Sequence, residues 1–183
     1  MAKDAKISAE ILKRARMIEV ILMDVDGVLT AGMIVYDSNG LEIKHFNAHD
    51  GLGIKLARIA GLKTGIISAR GSGTIRKRAS EIGIDYLLLG RFNKLTAFRE
   101  LQKQLKLKPE NFCFMGDDLP DVPVLRQVGL AVAVRNAMDL VKENAHYVTQ
   151  KKGGDGAVRE VTELILNARG LLESAIDTIW SGD

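Results

Sequence analysis

The sequence predicts an α/β protein with a Rossmann-like, doubly wound parallel sheet and helices on both faces. Short apolar runs of strand length alternate along the chain with amphipathic segments of helix length. This alternation is typical of parallel strands joined by helical crossovers. The apolar runs are continuous rather than interleaved with polar residues, as expected for strands that are buried on both faces.

The predicted elements follow one another without a low-complexity linker, so we expect a single domain over residues 1–183. The strands are predicted at 18–23, 64–68, 86–89, 112–115, 130–134 and 147–149. The helices are predicted at 51–60, 73–82, 94–105, 120–128, 137–144 and 156–172. We expect the C-terminal tail, about residues 173–183, to follow the last helix and to cover the domain's own surface or a neighbour.

One segment, about residues 33–46, interrupts this alternation. It carries Asn39 and Gly40 between two strand-like arms, and Asn-Gly is the strongest short signal for a β-hairpin. We therefore predict a small hairpin inserted between the first strand and its helix. Because an isolated two-stranded hairpin is marginally stable in water, we expect its apolar side chains to pack against other subunits or against its own domain.

Composition excludes several classes of function. The chain has 26 Lys and Arg against 23 Asp and Glu, and its basic residues are spread out without interleaved aromatics, so we expect no nucleic-acid partner. It has no apolar stretch of membrane-spanning length, and its charged N-terminus does not resemble a signal peptide. Its one cysteine, Cys113, excludes an intrachain disulfide. We expect a cytoplasmic protein with no membrane association.

Two aspartates directly follow the first predicted strand. Asp24 and Asp26 are two residues apart and precede Gly27, so in an extended segment both carboxylates lie on one side. Two buried carboxylates cost several kcal/mol unless a cation or a proton shares the site. The pair therefore predicts either a nucleophile beside an acid/base or the first ligands of a hard cation such as Mg²⁺.

Polar side chains also follow three other predicted strands. In an open parallel sheet, ligands bind beyond the carboxyl ends of the strands. Ser68 could bind a phosphate oxygen there or cap a helix. Lys94 stands at a helix start, where the helix dipole disfavours a cation, so it is either a phosphate ligand or a surface lysine. A helix-capping role for Asp118 or Asp121 does not explain why Asp117 lies directly at a strand end. A divalent cation bound there would explain it.

These motifs carry a family resemblance. DVDGVLT, the IIS strand end, the isolated Lys94 and GDDLPD, in this order, resemble the four motifs of the haloacid dehalogenase superfamily of phosphohydrolases. The short hairpin in place of a large cap, HFNAHDGLGIKL and KKGGDGAVREV resemble the 3-deoxy-D-manno-octulosonate 8-phosphate phosphatases, which serve lipopolysaccharide synthesis. The resemblance implies a Mg²⁺-dependent phosphatase that acts on a phosphorylated sugar acid and forms a homotetramer with shared active sites.

The resemblance also implies roles for individual residues. Asp24 would attack phosphorus and form an aspartyl-phosphate, while Asp26 would act as general acid and then general base. Ser68 and Lys94 would bind the phosphoryl oxygens. The metal ligands would be Asp24, the backbone carbonyl of Asp26, and Asp117. Asp121, and less directly Asp118, would support these ligands without binding the ion.

Substrate recognition rests on the same resemblance. Candidate substrate-binding residues are Thr30, Gly32, Asn47, Asp50, Arg70 and Arg78. A sugar-acid carboxylate favours a bidentate arginine, for which Arg76 is a further candidate, and one arginine could come from a neighbouring subunit. Asp50 could equally cap a helix.

The chain departs from the family motif at one position, and two alternative functions are considered. The family commonly has glycine where this chain has Ala69, and alanine is strained if that position needs a positive φ. The substrate could therefore be a related nine-carbon sugar acid phosphate. A non-catalytic oligomerisation module is the other alternative. We expect no phosphomutase or ATPase, because a large cap and membrane helices are lacking.

Overall fold

The structure, a computed structural model, describes residues 7–182 and contains the predicted parallel sheet. Its six strands lie in the order β5-β4-β1-β6-β7-β8, and every neighbouring pair is parallel. They are β1 (Val20–Met23), β4 (Lys63–Ser68), β5 (Tyr86–Leu89), β6 (Phe112–Gly116), β7 (Leu130–Ala133) and β8 (Tyr147–Val148). The fold class predicted from the sequence is confirmed.

Eight helices accompany the sheet within residues 7–182. They are α1 (Ala9–Arg16), α2 (Ala48–Ile59), α3 (Gly73–Ile82), α4 (Lys94–Leu105), α5 (Val122–Leu125), α6 (Asp139–Glu143), α7 (Ala157–Arg169) and α8 (Leu172–Ser181). The helix predicted at 120–128 is shorter than expected, because a 3₁₀ turn over Leu119–Asp121 precedes α5. None of the described helices is both long enough and apolar enough to span a membrane.

Strand β1 lies at the centre of the sheet and at its topological switch point. All four of its residues are buried, and Met23 pairs with Ile66 of β4 on one side and Met115 of β6 on the other. After β1 the chain builds one half of the sheet through β4 and β5, and then the other half through β6, β7 and β8. Ligands bind at such switch points, beyond the carboxyl ends of the strands.

The predicted hairpin is present as a separate two-stranded sheet. Strands β2 (Val35–Tyr36) and β3 (Glu42–Ile43) pair antiparallel. The Asp37 side chain stabilises the turn by accepting hydrogen bonds from the backbone N–H groups of Asn39 and Leu41, both at 2.8 Å. Each strand has two residues, so the hairpin's position depends on contacts outside its own ladder.

The C-terminal segment differs from the prediction. Residues 173–183 were expected to be a tail after the last helix, but Leu172–Ser181 form a further helix, α8. Gly170, with a φ of +68°, ends α7 and lets the chain turn into α8. Helix α8 packs against α2 and α7 and partly buries Ile176 and Ile179, whereas Trp180 stays exposed.

Candidate active site

Residues from four strand ends converge on one small pocket at the carboxyl edge of the sheet. Its volume is about 220 Å³, which accommodates a phosphoryl group but is below the usual volume of a pocket for a whole ligand. The pocket is lined by Asp24, Asp26, Gly32, Ser68, Ala69, Arg70, Lys94, Asp117, Asp118 and Pro120. A larger cavity of about 800 Å³ lies beside α7 and contains none of these residues.

Lys94 bridges two buried carboxylates in this pocket. Its Nζ lies 2.6 Å from Asp24 Oδ2 and 2.6 Å from Asp121 Oδ1. Burial alone would lower the pKa of Lys94, but the negative charges of Asp121 and Asp24 outweigh burial and raise it. Lys94 is therefore a protonated cation at the start of α4, and these two carboxylates offset the unfavourable helix dipole that the sequence indicated.

The negative charges of the Asp24 and Asp117 carboxylates are only partly compensated by positive groups of the protein. Burial raises the pKa of Asp24 to about 6, against the opposing charge of Lys94. Burial, followed by the charges of Asp121 and Asp24, raises the pKa of Asp117 to about 7. Both shifts mean that the positive charge of Lys94 only partly compensates the burial of the two carboxylates, which is the electrostatic setting of a cation site.

The carboxylates of Asp24, Asp117 and Asp121 fit a divalent cation. One oxygen from each lies within 4.8 Å of the others, and Asp117 Oδ1 is buried without a hydrogen-bond partner among residues 7–182. Asp121, in contrast, already binds Lys94 and accepts hydrogen bonds from the backbone N–H groups of Asp117 and Asp118. Asp117 therefore offers an unpartnered ligand oxygen, and each Asp24 oxygen, with one partner apiece, keeps a lone pair for a cation.

The turn after β1 brings these ligands together. Gly27 has a φ of +89°, and a Cβ at this position would lie 1.9 Å from Asp117 Oδ2. A side chain there would therefore displace the Asp117 carboxylate. Beyond it, the Thr30 hydroxyl donates to the Val25 carbonyl at 3.3 Å and accepts from the Gly32 N–H. Thr30 shapes the turn, whereas Gly32 lines the pocket.

The loop after β4 supplies the other side of the pocket. The Ser68 side chain is buried and accepts a hydrogen bond from the Arg70 N–H at 3.3 Å. Among residues 7–182, Lys106 is the one non-glycine residue with a positive φ. Ala69 therefore sits without the backbone strain that its place in the motif suggested.

Asp26 is held by cations from two directions. Lys44, from the hairpin, donates to Asp26 Oδ1 at 2.5 Å, and Arg70 Nε lies 3.6 Å from Oδ2. Glu42 contacts both cations, at 3.2 Å from Lys44 and 2.7 Å from Arg70. The sequence analysis missed Lys44 and Glu42. Their spacing of two in an extended arm places them on the same face, a signal that could have been used.

Known proteins of one hydrolase family are similar to this chain. A family model described as haloacid dehalogenase-like hydrolase matches residues 76–161. The 3-deoxy-D-manno-octulosonate 8-phosphate phosphatase KdsC of Escherichia coli strain K12 is 44% identical over 169 residues, covering 92% of this chain and 90% of that protein. The chain belongs to the haloacid dehalogenase-like hydrolases.

Solved structures of this family have the same fold. The phosphatase of the same name from Moraxella catarrhalis, in complex with a magnesium ion, a phosphate ion and KDO, superposes with a TM-score of 0.92 at 39% identity, covering 94% of this chain and 99% of that one. The Yersinia pestis phosphatase gives a TM-score of 0.90 at 43% identity, covering 91% and 90%. Both contain the sheet that positions the pocket of this hydrolase.

Four residues expected to bind substrate lie outside the pocket of this hydrolase: Thr30, described above, and Asn47, Asp50 and Arg78. The Asp50 carboxylate is buried and accepts hydrogen bonds from the N–H groups of Gly156, at 3.3 Å, and Arg159, at 2.9 Å, at the start of α7. This corrects the expectation that Asp50 binds a hydroxyl, because its oxygens serve a helix terminus. Asn47 caps α2, and Arg78 lies over the Phe46 ring.

A glycine-rich loop behind the pocket is the other feature that the sequence analysis missed. The sequence analysis gave Gly153 and Gly154 no role of their own, but a Cβ on Gly153 would lie 1.6 Å from the Gly27 carbonyl oxygen. The Gly154 N–H donates to the Val28 carbonyl at 2.8 Å. This hydrolase therefore uses the loop as a support for the turn that carries Asp24 and Asp26.

Proposed function

We propose that this hydrolase cleaves 3-deoxy-D-manno-octulosonate 8-phosphate into the free sugar acid and inorganic phosphate. The observation that carries the proposal is the cluster of Asp24, Lys94 and Asp117 around a pocket of phosphoryl size. The names of the relatives supply the substrate: the Escherichia coli protein is a phosphatase of this ester, and the Moraxella catarrhalis structure holds phosphate and KDO.

The carboxylates of Asp24 and Asp117, with the Asp26 backbone carbonyl, would hold Mg²⁺. The unpartnered Oδ1 of Asp117 supports this assignment, as does the magnesium ion in the Moraxella catarrhalis complex. When bound, Mg²⁺ neutralises charge that develops on the phosphoryl oxygens and favours the ionised form of Asp24. Asp121 and Asp118 support this arrangement from the loop after β6.

The side chains then divide the reaction into two displacements at phosphorus. An Asp24 oxygen forms a bond to phosphorus as the bond to the sugar oxygen breaks, and Asp26 gives its proton to that oxygen. Water next attacks the aspartyl-phosphate, Asp26 takes the proton from that water, and the Asp24 carboxylate leaves. Ser68 and Lys94 bind the phosphoryl oxygens in both steps.

Sugar-acid recognition belongs at the rim of the pocket. The cavity holds little beyond a phosphoryl group, so the sugar extends past Gly32 toward Arg70, which is 44% exposed. We assign the substrate carboxylate to Arg70 or to Arg78 of a neighbouring subunit in a homotetramer. Exposed apolar side chains of the hairpin, Met33, Ile34 and Leu41, support such an assembly. The reaction would be cytoplasmic, where sugar phosphates are made.

Phosphate release from a panel of esters tests the substrate assignment. We expect rapid release from 3-deoxy-D-manno-octulosonate 8-phosphate with Mg²⁺, and loss of release with excess chelator. Faster turnover of a nine-carbon sugar acid phosphate would retain the chemistry but replace the substrate. No release from any ester, an aryl phosphate included, would refute the phosphatase and favour the oligomerisation module.

A further inference from the structure

Lys44 is a buried cation that the proposed reaction does not use. Its side chain is 1% exposed, and its Nζ lies between Asp26 Oδ1, at 2.5 Å, and Glu42 Oε1, at 3.2 Å. A buried ammonium is tolerated only when it is paired and hydrogen-bonded. Lys44 is not among the residues that line the pocket, so it contacts Asp26 from behind rather than facing a ligand.

The Asp26 carboxylate has fewer hydrogen-bond donors than the neighbouring Asp24 carboxylate, so it depends strongly on Lys44. Asp24 accepts a hydrogen bond from the Val25 N–H at 2.6 Å and pairs with Lys94. Among the described residues, Lys44 is the one hydrogen-bond donor to the Asp26 carboxylate, while Arg70 stands farther off at 3.6 Å. Arg70 also lines the pocket, where a substrate carboxylate competes for its guanidinium.

We propose that Lys44 is a positioning residue that aims the Asp26 carboxyl at the leaving-group oxygen. This inference rests on the proposed function, in which Asp26 is the acid/base. Glu42 holds the other side of the ammonium and links it to Arg70, so the hairpin fixes Asp26 even while Arg70 binds substrate. The small hairpin thereby contributes to proton transfer as well as bounding the pocket.

A purely structural role for Lys44, as an anchor of the hairpin, makes a different prediction. Loss of an anchor would slow the cleavage of every phosphate ester by a similar factor. Loss of acid positioning would slow the cleavage of sugar esters selectively, because an alkoxide leaving group needs a proton in the transition state. A p-nitrophenolate leaving group stabilises its own charge and needs little protonation.

The test measures kcat/KM for a sugar ester and for p-nitrophenyl phosphate, using the full-length protein with Mg²⁺. For Lys44→Met we expect a loss of about 100-fold with 3-deoxy-D-manno-octulosonate 8-phosphate and of less than about 5-fold with p-nitrophenyl phosphate. Lys44→Arg keeps the charge and should fall between wild type and Lys44→Met with the sugar ester. Lys63→Met is the matched control, since Lys63 is 56% exposed and pairs with Asp85 on the surface, and it should change neither value.

Equal losses with the two esters, or no loss with either, would overturn the inference. Thermal unfolding of each variant establishes that it is folded. If Lys44→Met does not fold, the ratio of the two kcat/KM values in Lys44→Arg decides, and an unchanged ratio overturns the positioning role. If the wild type cleaves another sugar phosphate instead, that ester replaces the first in the comparison. A wild type that cleaves neither class of ester refutes the proposed function and this inference with it.

Discussion

At the scale of single residues, the site depends on the buried charge of Lys94. Its ammonium is 2.6 Å from both Asp24 and Asp121, and Asp121 is fully buried. In chelator near neutral pH, we expect Lys94→Met to lower the free energy of unfolding by about 3–5 kcal/mol, because two buried carboxylates lose their cation. Guanidinium unfolding measures this loss.

The matched control for this substitution is again Lys63→Met, which removes a lysine from an exposed pair. We expect this variant to lose less than about 1 kcal/mol. A Lys94→Met protein as stable as the control would contradict the idea that Lys94 compensates the two carboxylates.

The carboxylates of Asp24 and Asp117 predict that the stability of the metal-free protein falls as the pH rises. Their folded-state pKa values of about 6 and 7 lie above the ordinary value of 3.8. Between those values the metal-free folded state binds more protons than the unfolded chain, so its stability falls as pH rises. In chelator, we expect Asp117→Asn to unfold at least about 3 °C above wild type near pH 8, and at the same temperature near pH 4.

Addition of Mg²⁺ provides the second half of this experiment. Wild type should gain thermal stability near pH 8, because only the folded state offers both carboxylates to the ion. The Asp117→Asn variant should gain much less. Equal gains in the two proteins would show that Mg²⁺ binds elsewhere on the chain.

At the residue scale, the sequence predicted which side chains lie together where a polar residue directly follows a strand. Four such residues follow predicted strands: Asp24, Ser68, Lys94 and Asp117. Because ligands bind beyond the carboxyl ends of parallel strands, these side chains could be predicted to lie close together. Prediction from sequence failed for contacts that only the tertiary fold defines. Lys44 reaches Asp26 from 18 positions along the chain, and Asp50 reaches Gly156 from 106.

At the scale of elements, the loop of Gly153 and Gly154 supports the turn after β1. A Cβ on Gly153 would lie 1.6 Å from the Gly27 carbonyl oxygen, so the backbone of one segment must shift. We expect Gly153→Ala to lower kcat at least about tenfold, because small displacements of catalytic groups are costly, and to lower the unfolding midpoint.

Gly73→Ala is the control for this substitution. A Cβ on Gly73 meets no atom within 4 Å, and this glycine does not have a positive φ. Activity and stability of Gly73→Ala should match wild type. A Gly153→Ala protein that behaves like Gly73→Ala would show that the loop does not support the turn.

Elements with strong apolar runs were predictable, and those with weaker signals were not. The six strands were found because each is a continuous apolar run, as expected for β1, β4, β6 and β7, whose residues are almost all buried. Helix α1 was missed, since four of its eight residues are charged and only Ile11 and Ala15 are buried. Helix α8 was missed because the predicted α7 ran on to residue 172, past the left-handed Gly170 that separates the two helices.

At the scale of the whole molecule, the hairpin predicts assembly. We expect a mass in solution of about four times the 20.0 kDa of one chain. Replacing Met33 and Ile34 together by Glu should reduce this mass, because both side chains are exposed and apolar in the single chain. Light scattering with size-exclusion chromatography measures both proteins.

The control for assembly is Met17→Glu. Met17 is also exposed, but it precedes β1 and so lies at the edge of the sheet opposite the hairpin. We expect this variant to keep the wild-type mass. A monomeric wild type would refute the homotetramer and, with it, any substrate arginine donated by a neighbouring subunit.

The central claim is that Asp24 carries the phosphoryl group of a sugar acid phosphate, and chemical trapping tests it most directly. The protein is mixed with 3-deoxy-D-manno-octulosonate 8-phosphate and Mg²⁺, quenched rapidly and reduced with borohydride, which converts an acyl phosphate to an alcohol. Peptide mass spectrometry should find homoserine at position 24, absent without substrate and absent in Asp24→Asn. An unmodified Asp24 during turnover, or homoserine at Asp26 or Asp117 instead, would contradict the account.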